Sequence, residues 1–237
     1  MTPVGNKPVI VALDFPSESE ALDILEQLDA ERCRVKIGKE LFTRAGPPLV
    51  RRAIDAGFDV FLDLKFHDIP NTVAGACAAA ADLGCWMINV HASGGRAMME
   101  AAAGCMTRLG SAPLLVGVTV LTSMDEAAVR EVGFDSNPAV LVPRLAKLAQ
   151  ACGLDGVVSS PRELSEIREI CGAGFITVTP GVRPVTASQD DQKRVATPAD
   201  AIAAGANYLV VGRPITQAPD PASALGSICA EIESAAR

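Results

Sequence analysis

Aromatic side chains are scarce in this chain: one Trp, one Tyr and seven Phe make up 4% of its 237 residues. Hydrophobic residues still reach 49%, so a large core is within reach, but it must be aliphatic and alanine-packed. Positive charge is short as well. Lys and Arg number 21 against 28 Asp and Glu, a formal net charge of −7, which excludes the broad basic face of a general nucleic-acid binder. Any phosphate chemistry must then rest on a few placed cations. No C-x-x-C pair occurs among Cys33, Cys77, Cys85, Cys105, Cys152, Cys171 and Cys229. An odd, unpaired set reads as reduced thiols packed inside a cytoplasmic protein, not as disulfides or metal ligands. No apolar run reaches the roughly 18 residues a membrane helix requires, and the first apolar run meets Asp14 too soon for a signal peptide. No G-x-G-x-x-G follows that run, which counts against a dinucleotide fold. No linker, low-complexity tract or short repeat interrupts residues 1–237, which read as one domain.

What is present is a steady alternation of short β-type runs with helical segments. The pattern predicts strands at Val9–Asp14, Arg34–Gly38, Val60–Phe66, Trp86–His91, Leu114–Leu121, Gly156–Ser159, Phe175–Thr179 and Tyr208–Gly212. Amphipathic or alanine-rich stretches between them predict helices, among them Ser17–Leu28, Pro47–Ala56, Asn71–Leu83, Arg96–Leu109, Ala139–Cys152, Pro161–Cys171 and Ala199–Ala204. Ser17 with Glu20 fits a capping box, and Thr197-Pro198 fits an N-cap with proline at the first helical position. Repeated β-then-α units imply parallel strands with right-handed crossovers. Eight units in this length predict an α/β fold, a single-domain (β/α)₈ TIM barrel.

Polar residues collect where the predicted strands end: Asp14, Lys36, Asp63 with Lys65, Asn89 with His91, Thr122, Ser159 with Ser160, and Arg213. In barrels that rim carries the active site. The densest segment runs from Asp63 to Thr72, Asp-Leu-Lys-Phe-His-Asp-Ile-Pro-Asn-Thr. A period of two puts Asp63 and Lys65 on one face and leaves Leu62, Leu64 and Phe66 to bury on the other. Asp68 follows just past the strand, where Pro70 stops the ladder. Lys65 is therefore expected between two carboxylates, which favour its ammonium form. Alone, D-x-K reads as a structural ion-pair cluster; the other motifs turn the reading toward a site. A Schiff-base lysine must be neutral, so that chemistry is disfavoured. His67 and His91 read as structural or supporting groups. A divalent metal among Asp63, Asp68 and His91 is open in principle, but Lys65 already places a cation there.

The last two strands end in Thr179-Pro-Gly-Val-Arg183 and Val211-Gly-Arg213-Pro214. Loops after strands seven and eight commonly bind phosphate in this architecture. Gly181 and Gly212 let backbone N–H groups approach an oxyanion, and Arg213 can fork onto two phosphate oxygens. Residues 183–194 are polar and without periodicity, which fits a lid over the barrel mouth as well as a plain surface loop. Gln192 is the residue there best suited to donate an amide N–H to a phosphate.

Together these motifs resemble orotidine 5′-phosphate decarboxylase of the bacterial type. The resemblance rests on Val11-Ala-Leu-Asp14, Val35-Lys-Ile-Gly38, the Asp63–Thr72 decapeptide, Val118-Thr-Val-Leu-Thr-Ser123, Thr179-Pro-Gly-Val-Arg183 and Val211-Gly-Arg213, in order along the whole chain. It implies a homodimer that decarboxylates orotidine 5′-monophosphate to UMP without cofactor or metal. By the same resemblance Lys65 is the proton donor, flanked by Asp63 and Asp68. Asp68 and Thr72 reach the partner's site. Asp14 and Lys36 hold the ribose hydroxyls and Thr122 meets the pyrimidine edge. Gln192, Gly212 and Arg213 bind phosphate, with Arg183 at the base of the lid.

Overall fold

Strands buried on both faces read as near-continuous aliphatic runs, and here every residue of Val9–Leu13 and Arg34–Gly38 is buried. In the computed structural model, which describes residues 7–109, 112–183 and 196–235, the eight strands close into a parallel barrel in chain order. They are β1 (Val9–Leu13), β2 (Arg34–Gly38), β3 (Val60–Phe66), β4 (Met87–His91), β5 (Leu114–Val118), β6 (Gly156–Val158), β7 (Ile176–Thr179) and β8 (Tyr208–Val211). β8 pairs back onto β1 through Val9–Leu209, Ile10–Val210 and Val11–Val211. The expected α/β TIM barrel stands.

Ten helices surround it: α1 (Glu18–Leu25), α2 (Lys39–Asp55), α3 (Pro70–Asp82), α4 (Arg96–Thr107), α5 (Glu126–Glu131), α6 (Pro138–Ala151), α7 (Leu164–Cys171), α8 (Pro198–Ala203), α9 (Arg213–Thr216) and α10 (Pro221–Ala235), counted among the described residues. Ser17 caps α1 and Thr197 caps α8 by accepting backbone N–H bonds from Glu20 and Asp200, as the sequence suggests. None of these helices is long and apolar enough to cross a membrane. All seven cysteines are free and buried. Burial pushes the thiols of Cys33, Cys77 and Cys85 up to about 12, so they serve as small apolar packing groups.

Alternation along each strand separates two cores. Val9, Val11, Leu13, Val35, Ile37, Val60, Leu62, Ile88 and Val90 face the helices. Ile10, Phe61, Met87, Val116 and Val178 fill the barrel interior. Arg34 closes the bottom, its guanidinium 4.2 Å from the Trp86 ring centroid and 5.3 Å from that of Tyr208, with its Nε 3.2 Å from Asp59. The single Trp and the single Tyr thus sit with Phe61 on the barrel axis. At Gly156 an added Cβ would lie 2.2 Å from the Ile176 carbonyl oxygen, so only glycine lets β6 and β7 approach this closely.

Two boundaries differ from expectation in ways that matter. β5 stops at Val118, because its neighbour β6 offers partners only as far as Val158; Thr122 therefore lies in the connection before α5, not at a strand end. α2 begins at Lys39 and bends at Gly46, whose φ of 65° breaks the helix before Pro47 and Pro48.

Candidate active site

The charged residues at the barrel mouth form a row across three strand ends. Asp14 follows β1, Lys36 stands on β2, and Asp63 and Lys65 stand on β3. Lys36 Nζ lies 3.0 Å from Asp14 Oδ1 and 3.4 Å from Asp63 Oδ2. Lys65 Nζ donates to Asp63 Oδ1 at 2.7 Å. The side chains of Lys36 and Asp63 are each 10% exposed, and that of Lys65 is 26% exposed. Burial alone would raise the Asp63 carboxyl; the Lys36 and Lys65 ammoniums and hydrogen bonds from Lys65 and Asn89 outweigh it and hold it below the ordinary carboxylate value.

The strand that carries this pair is not regular. Phe61 pairs with Met87 and Leu62 with Ile88, but the next partner of Val90 is Phe66, so β3 holds extra residues against β4. Lys65 sits in this bulge with φ 51°, the one positive φ outside glycine among the described residues. A left-handed non-glycine residue costs about 1 kcal/mol or more and persists only when its surroundings impose it. Asn89 imposes it. The side chain is 1% exposed, its Oδ1 accepts the Lys65 backbone N–H at 2.7 Å, and its Nδ2 donates to Asp63 Oδ1 at 2.7 Å. Simple alternation captured the meeting of Asp63 and Lys65 but not the bulge, nor the function of Asn89.

Asp68 does not bracket Lys65 within this chain. Its carboxylate accepts the Ile69 N–H at 2.6 Å and the residue is exposed. The reason is local: Pro70 opens α3 immediately, and the chain turns outward at 67–69. Thr72, also exposed, lies in the first turn of α3, and Ile69 between them is 68% exposed. The shoulder formed by Asp68, Ile69 and Thr72 stands away from the row.

Two cavities adjoin at the mouth. One, of about 150 Å³, is walled by Lys36, Asp63, Lys65, Thr122, Ser159 and the apolar side chains of Phe61 and Val118. The other, of about 570 Å³, is walled by Asp14, Lys36, Gly181, Arg183, Gly212 and Arg213. Lys36, Pro180 and Val210 line both, so they form one cleft that passes from the Lys65 ammonium to the Arg213 guanidinium. Gly181 has φ 78°, a backbone conformation that favours glycine, whereas Gly212 has φ −105° and precedes α9. Arg183 is buried and its N–H donates to the Ala196 carbonyl at 3.0 Å. A bridge between Val182 and Ala196 ties together the two ends of 184–195. Gln192 and most of the expected lid lie outside the described residues.

His67 and His91 come together, with ring centroids 5.4 Å apart. Burial first, then the positive fields of His67, Lys39 and Lys65, pushes the His91 imidazole down to about 4, against an opposing pull from Asp63. It is neutral near pH 7. Among the described residues, no group of three or more His, Cys, Asp or Glu is placed to hold a metal ion. Ser159, 1% exposed, keeps its hydroxyl without a hydrogen-bond partner among the described residues, at the wall of the smaller cavity; the sequence marks it only as one of many rim residues.

The chain matches the Orotidine 5′-phosphate decarboxylase / HUMPS family over residues 7–228. A protein named orotidine 5′-phosphate decarboxylase from Halorhodospira halophila is 59% identical to it over 235 residues, 99% of this chain and 100% of that one. A relative of the same name from Nitrosococcus oceani is 57% identical over 224 residues, covering 94% of this chain and 97% of that one. The crystal structure of orotidine 5′-phosphate decarboxylase from Lactobacillus acidophilus is similar with a TM-score of 0.86 at 41% identity, covering 95% of this chain and 99% of that one.

Proposed function

The chain belongs to the orotidine 5′-phosphate decarboxylase / HUMPS family, and from that premise we propose that it converts orotidine 5′-monophosphate to UMP and CO₂, the closing step of de novo pyrimidine nucleotide synthesis. It is an enzyme, and the proposed reaction needs no cofactor. The observation that carries the reading is the Lys65 ammonium, fixed 2.7 Å from a buried carboxylate at one end of a cleft whose other end holds Arg213.

Loss of CO₂ from C6 of the pyrimidine leaves a lone pair in the plane of the ring. The π system cannot take it up, so stabilisation must come from a fixed positive field aimed at that atom. Lys65 supplies the field and then the proton: its N–H bond breaks, the C6–H bond forms, and the neutral amine recovers a proton from water. Asp63, held ionised by Lys36 and Lys65, keeps the ammonium in place. Asp14 and Lys36 meet the ribose hydroxyls, and Thr122 meets the pyrimidine edge. Gly212 and Arg213 hold the phosphate together with Gln192, and Arg183 anchors the base of that segment. Binding at the phosphate end positions the base at the other, so remote contacts lower the barrier as well as KM.

The exposed shoulder of Asp68, Ile69 and Thr72 supports a homodimer in which each subunit lends this shoulder to the other's site. A two-fold contact is self-complementary, so both sites are completed alike. The enzyme then works in the cytoplasm on a small nucleotide, without nucleic acid or membrane as partner. The test is incubation with orotidine 5′-monophosphate in EDTA, following loss of the orotate chromophore and formation of UMP. Turnover is expected. No turnover, or turnover only after a divalent ion is restored, would refute the reading and favour a metal-dependent sugar-phosphate lyase on the same barrel.

A further inference from the structure

We propose that Asn89 is a positioning residue for the reaction, the side chain that fixes the bulged end of β3 and thereby aims Asp63 and Lys65. The mechanistic part rests on the decarboxylase reading above; the geometry stands apart from it.

A bulge takes backbone groups off the sheet ladder and must satisfy them elsewhere. At Lys65 the displaced group is its own N–H, and the Asn89 carbonyl takes it at 2.7 Å. The other end of the same amide donates to Asp63 Oδ1, the oxygen that also receives the Lys65 ammonium. One planar group thus spans the backbone of the lysine and the carboxylate that holds its tip. The two contacts demand opposite polarity, an acceptor toward Lys65 and a donor toward Asp63, which the Asn89 amide provides in a single orientation. Aspartate would accept at both ends, and leucine would do neither.

The platform is rigid. β4 pairs with β5 without a break from Met87–Leu114 to His91–Val118, Asn89 opposite Val116, and Asn89 is 1% exposed. It walls neither cavity of the cleft, so it acts through Asp63 and Lys65 and not on the substrate. Without it the left-handed turn at Lys65 loses the side-chain acceptor of its N–H. The ammonium is then free to move at the end of a four-carbon stem, and a misplacement of about 1 Å is enough to lose about 100-fold in rate.

The experiment compares wild type with Asn89→Ala and Asn89→Asp as full chains. Each is measured for kcat and KM with orotidine 5′-monophosphate, for UMP affinity, and for the titration of the Asp63 carboxyl by carbon NMR. Charged or titratable groups facing that carboxyl are Lys36 from β2, Lys65 from β3 and His91 from β4. Asn89→Ala is expected to lower kcat about 100-fold with KM and UMP affinity within about threefold, and to move the Asp63 midpoint upward. Asn89→Asp has the same size but puts a second carboxylate beside Asp63, so a packing role predicts near wild-type kcat while the polar role predicts a loss at least as large. That variant decides the matter if Asn89→Ala does not fold. Wild-type kcat with an unmoved Asp63 titration in either folded variant would overturn the proposal. If wild type itself fails to turn over, the decarboxylase reading falls, and the Asp63 titration alone then judges the bridge.

Discussion

Replacement of Lys65 by alanine should abolish decarboxylation and leave nucleotide binding almost intact. In the proposed mechanism the ammonium acts on negative charge at C6, which builds up only as CO₂ leaves, so its loss belongs in kcat. A unit charge about 4 Å from the developing carbanion contributes about 4 kcal/mol at an effective dielectric near 20, or about 10³ in rate at 1.36 kcal/mol per decade. Loss of the general acid adds up to about 10²–10⁴. Together a fall of about 10⁵ or more in kcat is expected. The surroundings tolerate the change, because Asp63 keeps Lys36 at 3.4 Å and the Asn89 amide at 2.7 Å and is not left an unpaired buried charge. The assay is the orotate chromophore for turnover and calorimetry for UMP affinity, which should stay within about tenfold. Lys65→Gly serves as the companion: equally inactive, but more stable than Lys65→Ala by about 1 kcal/mol, since φ 51° suits glycine. Decarboxylation by pure Lys65→Ala within about tenfold of wild type, or UMP binding lost as severely as turnover, would refute the reasoning.

Arg213→Ala should weaken binding and also slow turnover, because phosphate contacts help to position the distant base; orotidine without its phosphate reacting as fast as the nucleotide would argue against this. If the protein is the proposed dimer with shared sites, Asp68→Ala and Lys65→Ala homodimers should each be nearly inactive, while mixed dimers of the two regain about half of wild-type activity, one site recovering both residues. No recovery in tag-purified heterodimers would place Asp68 in its own chain's site. Stability should fall as pH drops from 6.5 toward 4. The His91 pKa is lower folded than unfolded, so the unfolded state takes up the proton first and the stabilisation present above pH 6.5 is lost through that window. At pH 5 the loss is about 1 kcal/mol after allowance for partial exposure, seen as a shift in denaturation midpoint absent from His91→Asn.

The barrel was readable because each strand is an aliphatic run with a polar residue where it leaves the sheet. β2 and β3 match the expected bounds to the residue, and β1, β4, β6, β7 and β8 differ by one at an end. Where reading failed, the deciding information lay in another part of the chain. Thr122 fell outside β5 because β6 is short, which the run from Leu114 to Leu121 does not reveal. The first part of α2, from Lys39, was hidden by Gly46-Pro47-Pro48, a breaker by composition that the chain uses as a bend. The bulge at Lys65 depends on the register of β4, and His67 and His91 meet only because β3 and β4 are neighbours. Gln192 and Arg213 stand out as residue types suited to phosphate; Asn89 is visible only as one polar residue among many at the strand ends, because its value lies in two partners 24 and 26 positions away.

The row Asp14, Lys36, Asp63, Lys65 alternates in sign, and the Lys36 and Lys65 ammoniums hold the Asp63 carboxyl below its ordinary value. Lys36 and Asp63 are the most buried of the four, and each lies beside an opposite charge, as a buried ion requires. Lys65, at the end of the row, has one carboxylate neighbour among the described residues and is the more exposed of the two lysines. Its unshared side faces the cleft. Whatever sits next to it continues the alternation best if it is negative, and a carbanion at C6 meets that requirement only after CO₂ departs. In the reading proposed here, the same alternation brings Asp68 of a second copy toward Lys65 from outside, so the ammonium is pinned on two sides while its third direction serves the reaction. Asp68 turned outward on its own chain and Lys65 turned inward by a bulge are then two halves of one arrangement.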